Sequence, residues 1–463
     1  MAGAILTYKE KNSVKRNASM DMTSGPLLGP ILWFSLPLMA SNILQLLFNA
    51  ADVVVVGRFA GYASLAAVSS TVPVINLFIT LLMGLSVGVN VVIARYLGLT
   101  GHPQEITRAL HTAILLALAG GVILGAAGIV STGWMLDLVS IPEDVRPLAQ
   151  VYMQIYFVGT PFSMLYNYGA AALRAAGDTR RPLLFLLISG IVNVALNLVA
   201  VVWLHWHVIG VALATVLSQM ISAALILLCL SRTEGELHFS WKKLCLDKRG
   251  LVEMAHIGIP TGVQSCLFSL SNVVIQGAIN SYGSVIMAGC GAAESIENFM
   301  YVAMNSFHQA GQTFISQNMG AGRHDRVGRI LRTCVLCTLV LGIAQSVLVV
   351  WFSHPLVSIY NNEAVVIEAG AVRLAVVAST YVIFGVADVF VGAIRGYGAP
   401  IAPVIINLLG TCAFRLVWIG LLDTSRVPVE WVYLSYPISW VLILLALIPC
   451  WVHLRRKEAR RHV

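Results

Sequence analysis

The chain has 463 residues, 58% of them hydrophobic and only 11% charged, with a net charge of +8. A soluble domain carries roughly 25% charged residues, so this composition excludes an ordinary water-facing surface. The positive balance therefore reads as basic loops at a membrane face and gives no reason to expect a nucleic-acid partner.

In lipid no water satisfies the backbone, so the long apolar blocks must be helices of about 20 residues or more. Residues 1–26 are a polar tail with Lys9, Lys11, Lys15 and Arg16 and no apolar core, which is not a cleaved signal peptide. Twelve helices are then predicted, over 27–57, 63–97, 108–131, 146–172, 182–204, 209–231, 251–281, 284–319, 328–352, 365–393, 401–421 and 430–454. Pro37, Pro73, Pro161 and Pro260 fall within spans, where each favours a bend, as a packing kink or as a pivot. The His205/His207 pair with Trp203 and Trp206 falls in the outer loop after the fifth helix and reads as an interface belt rather than a metal site. Cys334 and Cys337 form a CxxC inside an apolar helix with no second ligand pair, so packing is expected there rather than metal or redox chemistry.

The second half repeats the polar punctuation of the first. Pro37, Asn49, Gly98, Arg108 and Thr112 recur as Pro260, Asn272, Gly320, Arg329 and Thr333. Ala172, Arg174, Gly177 and Pro182 recur as Ala393, Arg395, Gly398 and Pro403. An ordered series at nearly constant offset argues for duplication, and a duplicated all-helical membrane protein reads as a transporter. The expected fold is all-α: twelve transmembrane helices in two pseudo-twofold-related six-helix lobes around a central cleft. The expected divisions are an N-terminal tail 1–26, a lobe 27–231, a linker 232–250, a lobe 251–454 and a basic tail 455–463. With the N-terminus inside, every Lys and Arg falls in the tails or the loops on that one side except Arg58, Arg146, Arg426 and the in-span Arg373 and Arg415. The positive-inside rule then makes both termini cytoplasmic.

Asn42, Gln45, Asn49 and Asp52 lie at i, i+3, i+7 and i+10 of the first helix. That spacing makes one polar stripe facing a cavity or a partner. An ionised Asp52 deep in a low-dielectric lobe is costly unless a cation sits beside it, so such a group can take a proton from one side and release it to the other. The alternative is a solvated acid near Arg58. Asn193 and Asn197 stand one turn apart in the fifth helix, and Thr215 lies in the sixth. The second lobe offers Asn272, Gln276 and Asn280, then Glu294, Glu297, Asn298, Tyr301, Asn305 and Gln309, and Asp388 in the tenth helix. Glu297 is expected first to attract a cationic substrate into the cleft, with pairing to Arg415 or Arg373 as its alternative. Asp388 divides evenly between proton coupling and pairing with Arg415 or Arg373, which also need partners.

Three segments, taken in order, resemble those of one known family. Leu173-Arg174-Ala175-Ala176-Gly177-Asp178-Thr179-Arg180-Arg181-Pro182 resembles the loop signature of the multidrug and toxic compound extrusion (MATE) family. Ala214-Thr215-Val216-Leu217-Ser218-Gln219 is similar to its sixth-helix motif, and Ser316-Gln317-Asn318-Met319-Gly320-Ala321-Gly322 to its eighth-helix exit. The resemblance covers about Pro26 to Leu454 and is closest to the bacterial DinF/MepA-like branch. It implies a multi-pass transporter of the bacterial inner membrane, not an enzyme, exporting drugs or other small amphiphiles in exchange for protons or sodium ions and acting as a monomer. It also makes Asp52 the match of the family's first-helix coupling acid. Where many relatives carry a second aspartate, this chain has Asn197, which cannot titrate. Proton coupling is therefore expected, with a monovalent cation at Asp52, Asn193, Asn197 and Thr215 as runner-up. No other cofactor or metal is expected.

A lipid-linked glycan flippase shares this architecture but is expected to have a more cationic cleft. An intramembrane enzyme would need a compact catalytic set, and there is no HExxH, paired-aspartate motif or nucleophile elbow. ATP-driven pumping lacks a GxxxxGK[ST] loop.

Overall fold

A computed structural model describes residues 20–60, 62–99, 103–138, 141, 143, 145–423 and 426–460. Lys9, Lys11, Lys15 and Arg16 of the tail and Arg461 lie outside the described residues. Among those described there are helices and turns but no strand. In chain order the long helices are α1 (Leu28–Phe59), α2 (Tyr62–Gly98), α3 (Pro103–Leu138), α4 (Arg146–Val158 continued by Thr160–Ala175), α5 (Arg180–Trp203) and α6 (His207–Arg232). They continue as α7 (Lys248–Asn280), α8 (Ser284–Gly320), α9 (His324–Trp351), α10 (Ala364–Tyr397), α11 (Ile401–Leu421) and α12 (Glu430–Ala459).

Ten of these twelve are long and apolar enough to cross a membrane; α4 and α8 are the exceptions. The reasons differ. A break at Gly159 divides α4 into two shorter pieces, with Pro161 admitted in the first turn of the second piece, where its missing N–H costs nothing. In α8 the polar residues are buried against protein rather than exposed to lipid, including Glu297, His308, Gln312, Ser316 and Asn318.

Several helices run past the predicted ends. α3 covers 103–138 instead of 108–131, and α10 continues to Tyr397 instead of stopping at 393. The stop on α10 is Gly398, whose φ of 105° suits a left-handed cap that other residues rarely adopt. Its repeat partner Gly177, with φ 87°, ends α4 the same way. After Gly177 the next N–H, of Asp178, donates to Leu173 O; after Gly398 that of Ala399 donates to Ile394 O. The duplication read from residue spacing thus reappears as two copies of one cap.

The two halves meet along α2, α7 and α8. Gly84 packs on Gly262, Gly88 on Met254 and Gly258, Gly98 on Gln317 O, and Gly320 on Arg95 O. At each of these points a methyl group would strike backbone, so glycine sets how closely the lobes approach. Asn90 Oδ1 accepts from Gln312 Nε2 at 3.2 Å and from Thr313 Oγ1 at 3.0 Å, and Ser316 Oγ donates to Val91 O at 2.6 Å. Asn90 and Gln312 are 222 residues apart, the same spacing as Gly98 and Gly320. Equivalent positions therefore meet across the pseudo-twofold axis, as in an isologous dimer. Among the described residues these contacts lie between mid-helix and the end that carries the chain termini. The lobes are closed on one another there, and Asp52 lies toward the other end of α1.

Two crossing segments add to that closure. Ahead of α1, Met20 N donates to Ala176 O, and Met20 and Met22 rest on Gly177. The same segment accepts from the other half: Asn318 Nδ2 donates to Met22 O at 2.9 Å, and Arg326 donates to Gly25 O at 3.0 Å and Ser24 O at 3.1 Å. Ahead of α7, the linker docks on α3, with Ser240 N donating to His111 Nε2 at 3.1 Å and Asp247 N to Thr112 Oγ1 at 2.9 Å. Each lobe's leading segment is thus held by the other lobe. The Asp178 carboxylate accepts from Arg180 N and Arg181 N and pairs with Arg181 Nε at 3.1 Å, a structural role as expected.

Candidate functional site

Gly190 of α5 has no side chain, and the Phe48 ring of α1 occupies the space. One turn beyond Phe48 is Asp52, and one to two turns beyond Gly190 are Asn193 and Asn197. Asn197 Nδ2 donates to Asp52 Oδ1 across 145 residues of sequence, and to Asn193 Oδ1 at 3.3 Å. Asn193 and Asn197 are buried and Asp52 is half-buried. Asn197 Oδ1 is buried and has no hydrogen-bond partner among the described residues. Just past it α5 widens into a π-turn over Val199–Trp203, the kind of local irregularity common at functional sites. Tyr152 and Tyr156 of α4 lie within electrostatic range of Asp52. Nothing in the residue spacing pointed to these tyrosines.

Thr215 does not join this cluster: its Oγ1 donates to Val211 O of its own helix at 2.9 Å, as threonines inside helices commonly do. Asn42 and Gln45 are half-buried and Asn49 is exposed, so the α1 stripe runs from half-buried to open toward Asp52.

The second lobe holds two separate polar clusters. In the first, Arg373 donates to Glu297 through Nε and Nη2, both at 3.0 Å, with the two side chains 1% and 7% exposed. Tyr436 stands between Arg373 and Arg415, whose guanidiniums lie 5.6 Å and 4.3 Å from its ring centroid. Arg415 Nε donates to Ser439 Oγ at 2.9 Å. Glu297 is therefore not a free carboxylate facing the cleft, which corrects the expectation of substrate attraction. A buried guanidinium needs a compensating carboxylate, and Glu297 supplies it.

In the second cluster, His308 Nδ1 lies 3.0 Å from Asp388 Oδ1, and Asn305 Nδ2 donates to Asp388 Oδ2 at 3.1 Å. Gln309 Nε2 donates to Asn305 Oδ1 at 2.9 Å, and Arg395 donates to Gln264 Oε1 at 2.8 Å. Asp388 thus pairs with neither Arg373 nor Arg415; the rotation of α10 turns it to α8 instead. His308 was not singled out, because one histidine in an apolar helix gives no signal of its partner. Asn272 is half-buried, Gln276 Nε2 donates to Asn280 Oδ1 at 2.9 Å, and Asn298 is exposed. No three His, Cys, Asp or Glu side chains converge as a metal site among the described residues, and Cys334 and Cys337 are free thiols.

The architecture has known counterparts. The MatE family model matches residues 37–199 and 260–418, one block per repeat, beginning at the paired Pro37 and Pro260. The chain belongs to the MatE family. Within it, the chain is 26% identical over 429 residues to the probable multidrug resistance protein YoeA of Bacillus subtilis, covering 90% of this chain and 92% of that one. It is 26% identical over 434 residues to a FAD transporter of Shewanella oneidensis, covering 92% and 94%. A crystal structure of a MATE protein in complex with MaD3S superposes with a TM-score of 0.87 at 17% identity, covering 95% and 98%. As a MatE-family member the chain is a multi-pass efflux transporter that handles small substrates within the membrane, and by family it is not an enzyme.

Proposed function

We propose that this MatE-family chain is a proton-coupled antiporter that exports amphiphilic, often cationic compounds by alternating access. Asp52 is the group that carries the proton. The observation that supports this reading is the Asp52–Asn197 pair: a half-buried carboxylate whose partner is an amide with one unused buried oxygen. An ionised Asp52 accepts the amide N–H. A protonated Asp52 donates instead to an amide oxygen, so Asn197 serves both states by rotating its side chain, which a second acid or a fixed cation would not do.

A sodium ion is the weaker candidate. It would have the Asp52 carboxylate and two amide oxygens, and Thr215 is turned away. In the proposed cycle, protonation at the open end removes the charge from the first lobe and lets the lobes rock about their seam. At the other side Asp52 gives up its proton as the substrate enters, and the substrate leaves at the open end when Asp52 is protonated again. The second lobe's His308–Asp388 pair is a further candidate proton site, and Asn42, Gln45, Asn49, Asn272, Gln276 and Asn298 line the path. We place the chain as a monomer in a bacterial plasma membrane with both termini cytoplasmic, so the closed end described above faces the cytoplasm.

The test is uphill efflux of a fluorescent lipophilic cation from proteoliposomes, with proton and sodium gradients imposed separately. Proton-driven efflux that disappears in Asp52→Asn supports the proposal. Sodium-driven efflux, or normal transport by Asp52→Asn, overturns it. Inactivity under both gradients moves the assignment to another cargo, such as a lipid-linked glycan or a dinucleotide.

A further inference from the structure

A cavity of about 390 Å³ opens where the seam reaches the end that carries the chain termini, with walls from both lobes. Arg95 of α2 comes from one lobe; His324 at the start of α9, the Gly398 cap of α10, and Lys457 and Glu458 of α12 come from the other. The Arg95 guanidinium lies against Gly398, at the carbonyl end of α10, which attracts a cation. No hydrogen bond from it to a described residue is seen. The acid within its electrostatic range is Glu253, whose carboxylate accepts from Arg249 Nε at 3.2 Å and from Tyr96.

A guanidinium set into a cavity wall, with no described residue accepting from it, favours a planar oxyanion, which it can bind through two parallel hydrogen bonds. Across the cavity, α9 begins at His324 and presents the positive end of its dipole. Lys457 is exposed on the same wall; Arg455, which donates to His324 O at 2.8 Å, and the exposed Arg456 precede it on α12. Glu458 supplies one negative charge against these.

We propose that this cavity binds a phosphate group, bridging Arg95 of one lobe to His324 and Lys457 of the other and holding this end of the seam shut. The chemistry is shared by an anionic phospholipid headgroup and by a free phosphate-type anion. Either ligand would bias the transporter toward the state closed at this end, whichever ion drives transport.

The experiment is thermal unfolding of the purified full-length chain in neutral detergent, titrated with dioctanoyl phosphatidylglycerol, dioctanoyl phosphatidylcholine or inorganic phosphate. The expected result is saturable stabilisation by phosphatidylglycerol that exceeds that by phosphatidylcholine. Arg95→Gln should weaken it about tenfold, as loss of a charge-assisted hydrogen bond predicts. Lys457→Gln at an exposed helix end should weaken it as well, and carries the test if the Arg95 variant does not fold. Lys243→Gln, in a separate cavity between α3 and the linker, should leave it unchanged. An equal, Arg95-dependent response to inorganic phosphate would keep the site and identify a free anion as its ligand. Identical titrations in the parent protein and the Lys457 and Arg95 variants would overturn the proposal, as would equal stabilisation by phosphatidylcholine.

Discussion

Glu297→Gln separates a structural carboxylate from a substrate-facing one. The substitution preserves shape while removing the charge that receives two 3.0 Å hydrogen bonds from Arg373. Arg373 is 1% exposed and already has one buried donor, Nη1, without a partner. Breaking a buried pair from one side costs about 3–5 kcal/mol, because the other charge stays buried. Glu294 is within electrostatic range of Arg373 and offsets part of that cost, which favours the lower end. The expected outcome is a loss of about 3 kcal/mol, read as a melting-temperature drop on the order of 5 °C in detergent. The double variant Glu297→Leu with Arg373→Met should recover most of the loss, since replacing both partners by apolar groups is often close to neutral. Measured transport at low temperature should persist in the double variant. A Glu297→Gln protein that melts with the parent but no longer transports would refute the structural role and restore Glu297 to the cleft.

Two further outcomes test the closure between the lobes. Gly98→Ala or Gly320→Ala should each shift the population toward the state open at that end by about 1–3 kcal/mol, since the added methyl meets backbone of the opposite lobe; paired spin labels or cysteine accessibility would read this. Gly133→Ala, with nothing near its added methyl, should behave as the parent. The segment ahead of α1 should also respond to pH. Burial pushes the Asp21 carboxyl up, but hydrogen bonds from Ser24 and Thr23 outweigh it and set it at about 2. Because the folded value lies below the ordinary one of about 3.9, the stability Asp21 contributes is present above about pH 4 and is lost as pH falls through about 2. Hydrogen exchange over 20–27 should accelerate in that window and not in Asp21→Asn, which has no carboxylate to protonate. An acceleration of equal size in both would remove Asp21 from the explanation.

The fold was legible because lipid imposes one rule on every span, and twelve apolar blocks with a repeating set of polar residues satisfy it. What escaped was local. The Gly159 break in α4 and the π-turns at Val199–Trp203 and Leu408–Ala413 leave no hydropathy signal, since neighbouring helices decide them. At the candidate site, the α1 stripe was readable because four polar residues share one face. Asn197 was singled out through the family resemblance. Pairing of Glu297 with an in-span arginine was one of two readings; that the partner is Arg373 rather than Arg415 depends on how α8 and α10 are rotated, which helical spacing within either one does not report. Asp388 could be placed on a face of α10, but not matched with His308, for the same reason.

The seam has a consequence for how such a protein can change over generations. Asn90 meets Gln312, and Gly98 and Gly320 each touch the opposite copy of one helix-end segment. In two identical six-helix proteins meeting on this surface, one codon change would alter the contact twice, so both favourable and damaging substitutions would be felt in duplicate. Joining the copies in one chain removes that constraint. Asparagine can then stand on one side of the axis and glutamine on the other, Arg95 can face a glycine cap, and its counterpart Gln317 is free to be something else. Fusion leaves the seam where it was while letting each lobe acquire its own chemistry, an acid–amide pair in the first and an acid–imidazole pair in the second.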